Sequence, residues 1–156
     1  PNSPRDEERQ RLRELMKAFA SRGMRGVRCE LLNEGLGVWK AASYVIDERL
    51  QHISFTPDQS LAGSGCHVVP FGDVSEVLRP QDAETHFPPE LLKRLSARQR
   101  ERLVMVIYWQ GPIREEKVRF WFLEASAEDR QSFVTCMRIL RRYKDYKGRT
   151  VQQIQC

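Results

Sequence analysis

The spacing of apolar residues changes from a helical to a strand-like period near Met24 and returns to a helical period after Ser126. Between these points, short alternating runs are separated by turn residues such as Gly, Pro, Asn and Asp. Connections of hairpin length indicate an antiparallel meander rather than parallel strands joined by helices. We predict strands at Gly26–Asn33, Val38–Asp47, Leu50–Thr56, His67–Phe71, Ser75–Arg79, Leu103–Gln110 and Lys117–Ala125.

The first segment, Pro4 to Arg22, is predicted to be a helix that ends at Gly23. Ser3 is placed to cap this helix. Two interpretations of its apolar face are open: the face packs on its own domain, or it is an interaction surface for a partner or a membrane. The face has helical spacing and consists of Leu12, Leu15, Met16 and Phe19.

A helical insert is predicted before the sixth strand. It begins at Pro88 and Pro89, and Ser96 with Gln99 resembles a second capping signal. The strand that follows, Leu103–Gln110, is apolar at nearly every position, which predicts that both of its faces are covered. We expect one face to look into the core and the other to lie under the N-terminal helix.

The last element is predicted to be an amphipathic helix that closes one end of the sheet. Ser126 and Asp129 form a capping signal at its start, and Gly148 is expected to end it. Its apolar residues are Phe133, Cys136, Met137, Leu140 and Tyr143. Its other side and its end carry basic residues, part of which the helix macrodipole explains: Arg138, Arg141, Arg142, Lys144, Lys147 and Arg149.

The composition fits one globular domain. A chain of 156 residues can bury a core without disulfides or a metal. Its 26 basic and 21 acidic residues give a net charge of +5, which favours acidic partners. The four cysteines are far apart, as expected for a reducing compartment. No apolar run approaches the roughly 18 residues that cross a bilayer, so membrane contact is expected to be peripheral.

We find no constellation of residues typical of an enzyme, a cofactor site or a metal site. The three histidines, His52, His67 and His86, lack the spacing of metal ligands. The three tryptophans lie in strand patterns typical of a core rather than between exposed cations, which argues against nucleic-acid binding. The sequence therefore predicts no catalysis, no cofactor, no metal and no nucleic-acid partner.

Three stretches resemble pleckstrin-homology domains. Val38–Ile46 resembles their second strand, His67–Phe71 their fourth, and Phe120–Ser126 their last strand and the start of the closing helix. Phe133 stands where that family usually has Trp. The resemblance implies a mostly β, α+β fold: a seven-stranded bent antiparallel barrel capped by a C-terminal helix, with an added N-terminal helix and an insert before strand six. It implies a helical extension over 1–23, the domain over 24–147 and a tail over 148–156.

The resemblance also bears on lipid binding. Family members that hold phosphoinositides use a basic residue in the first strand and a Lys-x-Arg in the second. Arg28 and Lys40 match the first two positions, with Arg25 nearby, but Ala42 replaces the last Arg. Because charge-assisted bonds from Arg are among the strongest phosphate contacts, phosphoinositide binding is expected to be weak or absent.

Within this superfamily the layout resembles the inner membrane complex sub-compartment proteins of apicomplexan parasites. That resemblance implies attachment through N-terminal acylation, with protein partners in a membrane skeleton on the cytoplasmic face of an internal membrane. Two functions remain open. The first is a scaffold or adaptor for protein interaction, and the second is a module that binds phosphoinositides or anionic lipids through Arg25, Arg28 and Lys40.

Overall fold

The computed structural model describes residues 3–33, 37–59 and 65–155, with side chains described up to Arg142. The helices are α1 (Pro4–Arg25), α2 (Pro89–Arg94), α3 (Ala97–Arg100) and α4 (Ala127–Gln155). The strands are β1 (Val27–Asn33), β2 (Val38–Ile46), β3 (His52–Pro57), β4 (His67–Pro70), β5 (Val74–Leu78), β6 (Leu103–Gln110) and β7 (Glu116–Leu123). Short 3-10 turns occupy Phe71–Asp73 and Glu84–His86.

All seven strands belong to one antiparallel sheet, in the order β4-β3-β2-β1-β7-β6-β5. The sheet is bent but not closed, because β4 and β5 are its edges and do not pair with each other. The 3-10 turn at Phe71–Asp73 joins these two edges and packs against α4. The predicted fold class is confirmed, with helix α4 at the end of an open sheet.

Helix α4 supplies the centre of the core. Phe133 is fully buried and lies edge-on to Phe122, with ring centroids 4.9 Å apart. Its ring also meets Tyr44 at 5.5 Å and Phe19 at 5.9 Å. Edge-to-face aromatic pairs of this kind add stability beyond their buried area. Phe133 therefore fills the position that the resemblance assigned to it.

A second apolar cluster covers the outer face of the sheet. Phe87 and Leu92 of the insert pack there on Leu103, Met105 and Trp121. Both faces of β6 are thus covered, as predicted. The expectation that α1 covers the outer face is wrong, since α1 packs on β2 and α4 while the insert covers β6.

Both long helices end later than predicted. Helix α1 continues through Gly23 to Arg25 and ends at Gly26, whose φ of 94° lies in the region that favours glycine. Helix α4 continues past Gly148 to Gln155. A glycine inside a helix costs only about 1 kcal/mol relative to alanine. Packing or favourable neighbouring residues can therefore keep the helix continuous at a glycine.

Gly23 allows α1 to approach the sheet closely. A Cβ at this position would lie 2.4 Å from Ile46 Cδ1 and 2.7 Å from Cγ1, well inside van der Waals contact. We expect Gly23→Val to lower the free energy of unfolding by about 1–3 kcal/mol, as overpacking does. Urea unfolding followed by circular dichroism measures the change.

The matched control is Ala18→Val on the exposed side of the same helix, which changes helix propensity without touching Ile46. It should cost less than about 1 kcal/mol. Equal losses in the two variants would contradict a close approach at Gly23.

Candidate functional site

The predicted headgroup residue Arg28 lies on the outer face of β1. Its guanidinium donates two hydrogen bonds to the carboxylate of Asp58, one of them 2.7 Å long to Oδ1. These bonds hold the pKa of Asp58 below its usual value. A bidentate Arg–carboxylate pair already uses the geometry that would grip a phosphate. Arg28 is therefore exposed, but its guanidinium is already bonded to Asp58.

Lys40 lies on the opposite face of the same hairpin. In the ladder of β1 and β2, Lys40 opposes Leu31 and Arg28 opposes Ser43. Side chains of directly opposed residues share a face, and successive residues alternate between faces. Lys40 is thus on the face of Ala42, Tyr44 and the core, whereas Arg28 points away from it.

The third predicted cation, Arg25, is the last residue of α1 and is exposed. It precedes β1 by two residues, so the chain does not place it beside Lys40 on the inner face. Ala42, at the position of the missing Arg, is fully buried. The structure does not bring the three predicted cations together into one site.

The apolar stripe of α1 faces its own domain. Phe19 is 3% exposed and belongs to the main core cluster, while Leu15 and Met16 are partly buried against it. Leu12, nearer the start of the helix, is half-buried. Of the two interpretations, packing in cis is what the structure shows for Phe19, Leu15 and Met16. Phe19 is not accessible to a partner while α1 is docked.

A partly buried polar network holds α1 in this position. Arg22 donates to Asp129 of α4 at 2.6 Å and to the Tyr44 hydroxyl at 3.3 Å. The Tyr44 hydroxyl donates in turn to Glu124 Oε2 at 2.6 Å. One network therefore links α1, β2, the end of β7 and the first turn of α4.

Glu124 is fully buried within this network. Burial raises the pKa of its carboxyl group, partly offset by hydrogen bonds from Tyr44 and the Ala125 N–H and by Arg22. The pKa of Tyr44 is also raised, by burial and by the adjacent carboxylate. A perturbed pKa can mark a functional site, but each side chain of this network bonds to at least one other and the network links four elements, so its chemistry is structural.

Part of the basic side of α4 forms hydrogen bonds within the protein itself. Arg138 donates to Asp82 Oδ2 at 3.0 Å and to the Val77 carbonyl at 2.9 Å. Hydrogen bonds from Arg79 lower the pKa of Asp82 well below its usual value. Lys144, Lys147 and Arg149 lie beyond the described side chains. Arg142 is exposed and Arg141 half-exposed.

No residue group within 3–33, 37–59 and 65–142 has the composition of a metal site. No helix in the described part of the chain is long and apolar enough to cross a bilayer.

No protein-family model and no curated protein matches the sequence. Solved structures do match the fold. Inner membrane complex sub-compartment protein 3 of Toxoplasma gondii matches at a TM-score of 0.56 and 16% identity, covering 84% of this chain and 86% of that chain. Sub-compartment protein 1 of the same organism gives 0.57 and 16%, covering 82% and 91%. The PH domain from TgAPH gives 0.51 and 13%, covering 86% and 94%.

These similarities establish a pleckstrin-homology-like fold. The chain is similar in structure to the inner membrane complex sub-compartment proteins over most of its length. At such low sequence identity, structural similarity shows that the fold is shared but does not show that the activity is shared.

Sequence analysis did not predict two features of this region, the ion pair of Arg28 with Asp58 and the burial of Glu124. The pairing of Arg28 with Asp58 joins residues 30 positions apart and depends on strand register, which no local signal reveals. Glu124 did carry a signal, because it is a charged residue between an apolar strand and a helix cap. A charge at such a junction is rarely buried unless it is paired.

Proposed function

We propose that this protein is a non-enzymatic scaffold or adaptor that uses a degenerate pleckstrin-homology fold to bind other proteins at a membrane. The observation that carries the proposal is the dispersal of the headgroup cations. Arg28 and Lys40 lie on opposite faces of their hairpin, and Arg28 is paired with Asp58. Recognition of clustered phosphates needs several cations that converge, so a role in protein contact fits this surface better.

Membrane association is part of the same proposal. We expect attachment through N-terminal acylation at the cytoplasmic face of an inner membrane complex, with partners in a membrane skeleton. Structural similarity to two proteins of that complex supports this location. One acyl chain gives only marginal membrane binding and two give stable binding, which leaves the folded domain free to select partners.

The second candidate function is adhesion to anionic lipid. The net charge of +5 and the exposed Lys40 and Arg25, which form no ion pair among the described residues, favour it. Each cation near an anionic leaflet contributes about 1 kcal/mol, enough for adhesion without a binding pocket.

Co-sedimentation of the unacylated protein with vesicles separates the two functions. We expect no binding to phosphoinositide vesicles or to phosphatidylserine vesicles of equal charge at physiological salt, and binding to both would instead support adhesion to anionic lipid. Saturable binding to one phosphoinositide that Lys40→Glu abolishes would overturn the scaffold proposal. Lys93→Glu is the matched control, because it makes the same charge change at an exposed residue of α2.

A further inference from the structure

An apolar groove lies on the outer face of the sheet, beneath the insert. The ladder between β1 and β7 contains two residue pairs, Glu30 with Leu123 and Leu31 with Phe122. Beyond Leu31 the pairing stops, and a space of about 260 Å³ remains between the sheet and helix α2. We call it the indole groove, and its main lining residues are Leu32, Trp39, Leu91, Arg94 and Trp121.

Trp121, which lines the indole groove, carries an unsatisfied hydrogen-bond donor. Trp121 is 5% exposed, and its Nε1–H is buried without an acceptor among the described residues. A buried donor without a partner costs about 1–3 kcal/mol, and most such groups in folded proteins are satisfied. The N–H has no accessible surface, so Trp121 contributes apolar ring atoms to the groove.

The charge around the groove is positive. Arg94 lines it from α2, and Arg119 lies on the same face of β7 two residues before Trp121, roughly 7 Å away along the strand. Neither arginine forms an ion pair among the described residues. The nearest acidic residue on this face of β1, Glu30, already accepts a hydrogen bond from Arg102 at 3.0 Å.

The size of the groove favours a side chain over a whole small molecule. Sites for small molecules usually measure about 300–1,000 Å³, and this one is smaller. Aromatic walls and a cation at the rim suit a peptide that inserts an apolar side chain and offers carboxylates on either side.

We propose that the indole groove binds a short acidic segment of a protein partner. An apolar side chain of that segment lies between Trp39 and Trp121, and a carboxylate pairs with Arg94. This inference rests on the scaffold function proposed above and assigns a location to it.

The test is an NMR titration of the ¹⁵N-labelled full chain with a synthetic peptide that carries Leu flanked on both sides by Asp and Glu. The indole cross-peak of Trp121 is assigned from its disappearance in Trp121→Phe. We expect a saturable displacement of this cross-peak. Arg94→Glu should weaken binding about tenfold, from the loss of one charge-assisted bond, whereas Lys93→Glu on the same helix should change it less than about twofold.

Trp121→Phe gives a second readout. It keeps an aromatic ring but makes this wall of the groove smaller, so the variant should stay folded and still bind the peptide more weakly than the parent. Equal binding of a peptide with Lys and Arg flanks, or equal effects of Arg94→Glu and Lys93→Glu, would overturn the proposal.

Three further results would also overturn it: a Trp121 cross-peak that does not move, one that moves with protein concentration alone, or one that moves only with phosphatidylserine vesicles. If other resonances respond to the peptide while Trp121 does not, the groove assignment fails and the scaffold function stands. Phosphoinositide binding in the vesicle experiment would instead remove the scaffold function itself.

Discussion

Replacing Phe133 by Ala is expected to lower the free energy of unfolding by about 3–5 kcal/mol, the range measured for large-to-small changes at buried aromatic residues. The ring has no exposed surface and contacts aromatic rings from α1, β2, β3 and β7. Three of these rings are held by strands, which limits how far the core can collapse into the space that Ala would leave. Urea unfolding monitored by Trp fluorescence measures the loss.

The control for Phe133 is Ile113→Ala in the turn between β6 and β7. Ile113 is 72% exposed, so the change should stay within about 0.5 kcal/mol. A small loss at Phe133 would mean that α4 does not fill the end of the sheet. The fold described here, and the domain surface used by both proposed functions, would then be wrong.

The elements of the fold were predictable because each has a local signal. Alternating polarity, or for β6 a continuous apolar run, located all seven strands to within a few residues. Ser126 caps α4 as expected, accepting from the Asp129 N–H at 3.0 Å. The predicted ends of the two long helices were less accurate. Gly23 and Gly148 lie inside helices. The low helix propensity of glycine is a small effect, which packing and the helical residues on either side outweigh.

Hydrophobic periodicity could not predict which element packs on the outer face of β6. An apolar strand predicts that both faces are covered, but not which element covers them. Residues Phe87 to Leu95 lie between turn signals and form only short helices, yet they bury the outer face. Helix α1, the longer amphipathic segment, instead packs on β2 and α4 through Gly23 and Phe19.

The candidate site was the least predictable part. The residue types matched a headgroup site at Arg28 and Lys40, but the match ignored strand parity. In a strand, a shift of one residue moves a side chain to the other face. The observed register places Arg28 with Ser43 and Lys40 with Leu31, and this pairing is what separates the two cations onto opposite faces.

The second large effect is expected at Glu124, where Glu124→Ala should cost about 2–4 kcal/mol. Breaking a buried pair by removing one partner costs about 3–5 kcal/mol. The loss here is reduced because Arg22 is 30% exposed and keeps its bond to Asp129. Glu124→Gln should cost less, because the amide oxygen can still accept from the Tyr44 hydroxyl.

The pH dependence of stability reports on the protonation of the same carboxyl group. Burial raises the pKa of Glu124 above its unfolded value of 4.5, so the folded state holds this proton more tightly than the unfolded state does. The stability contributed by this proton is complete below pH 4.5 and is lost as the pH rises through the folded pKa. Urea unfolding of the parent and of Glu124→Gln across this window should give a difference that grows smaller at higher pH. A constant difference would show that Glu124 acts only through its shape and its hydrogen bonds.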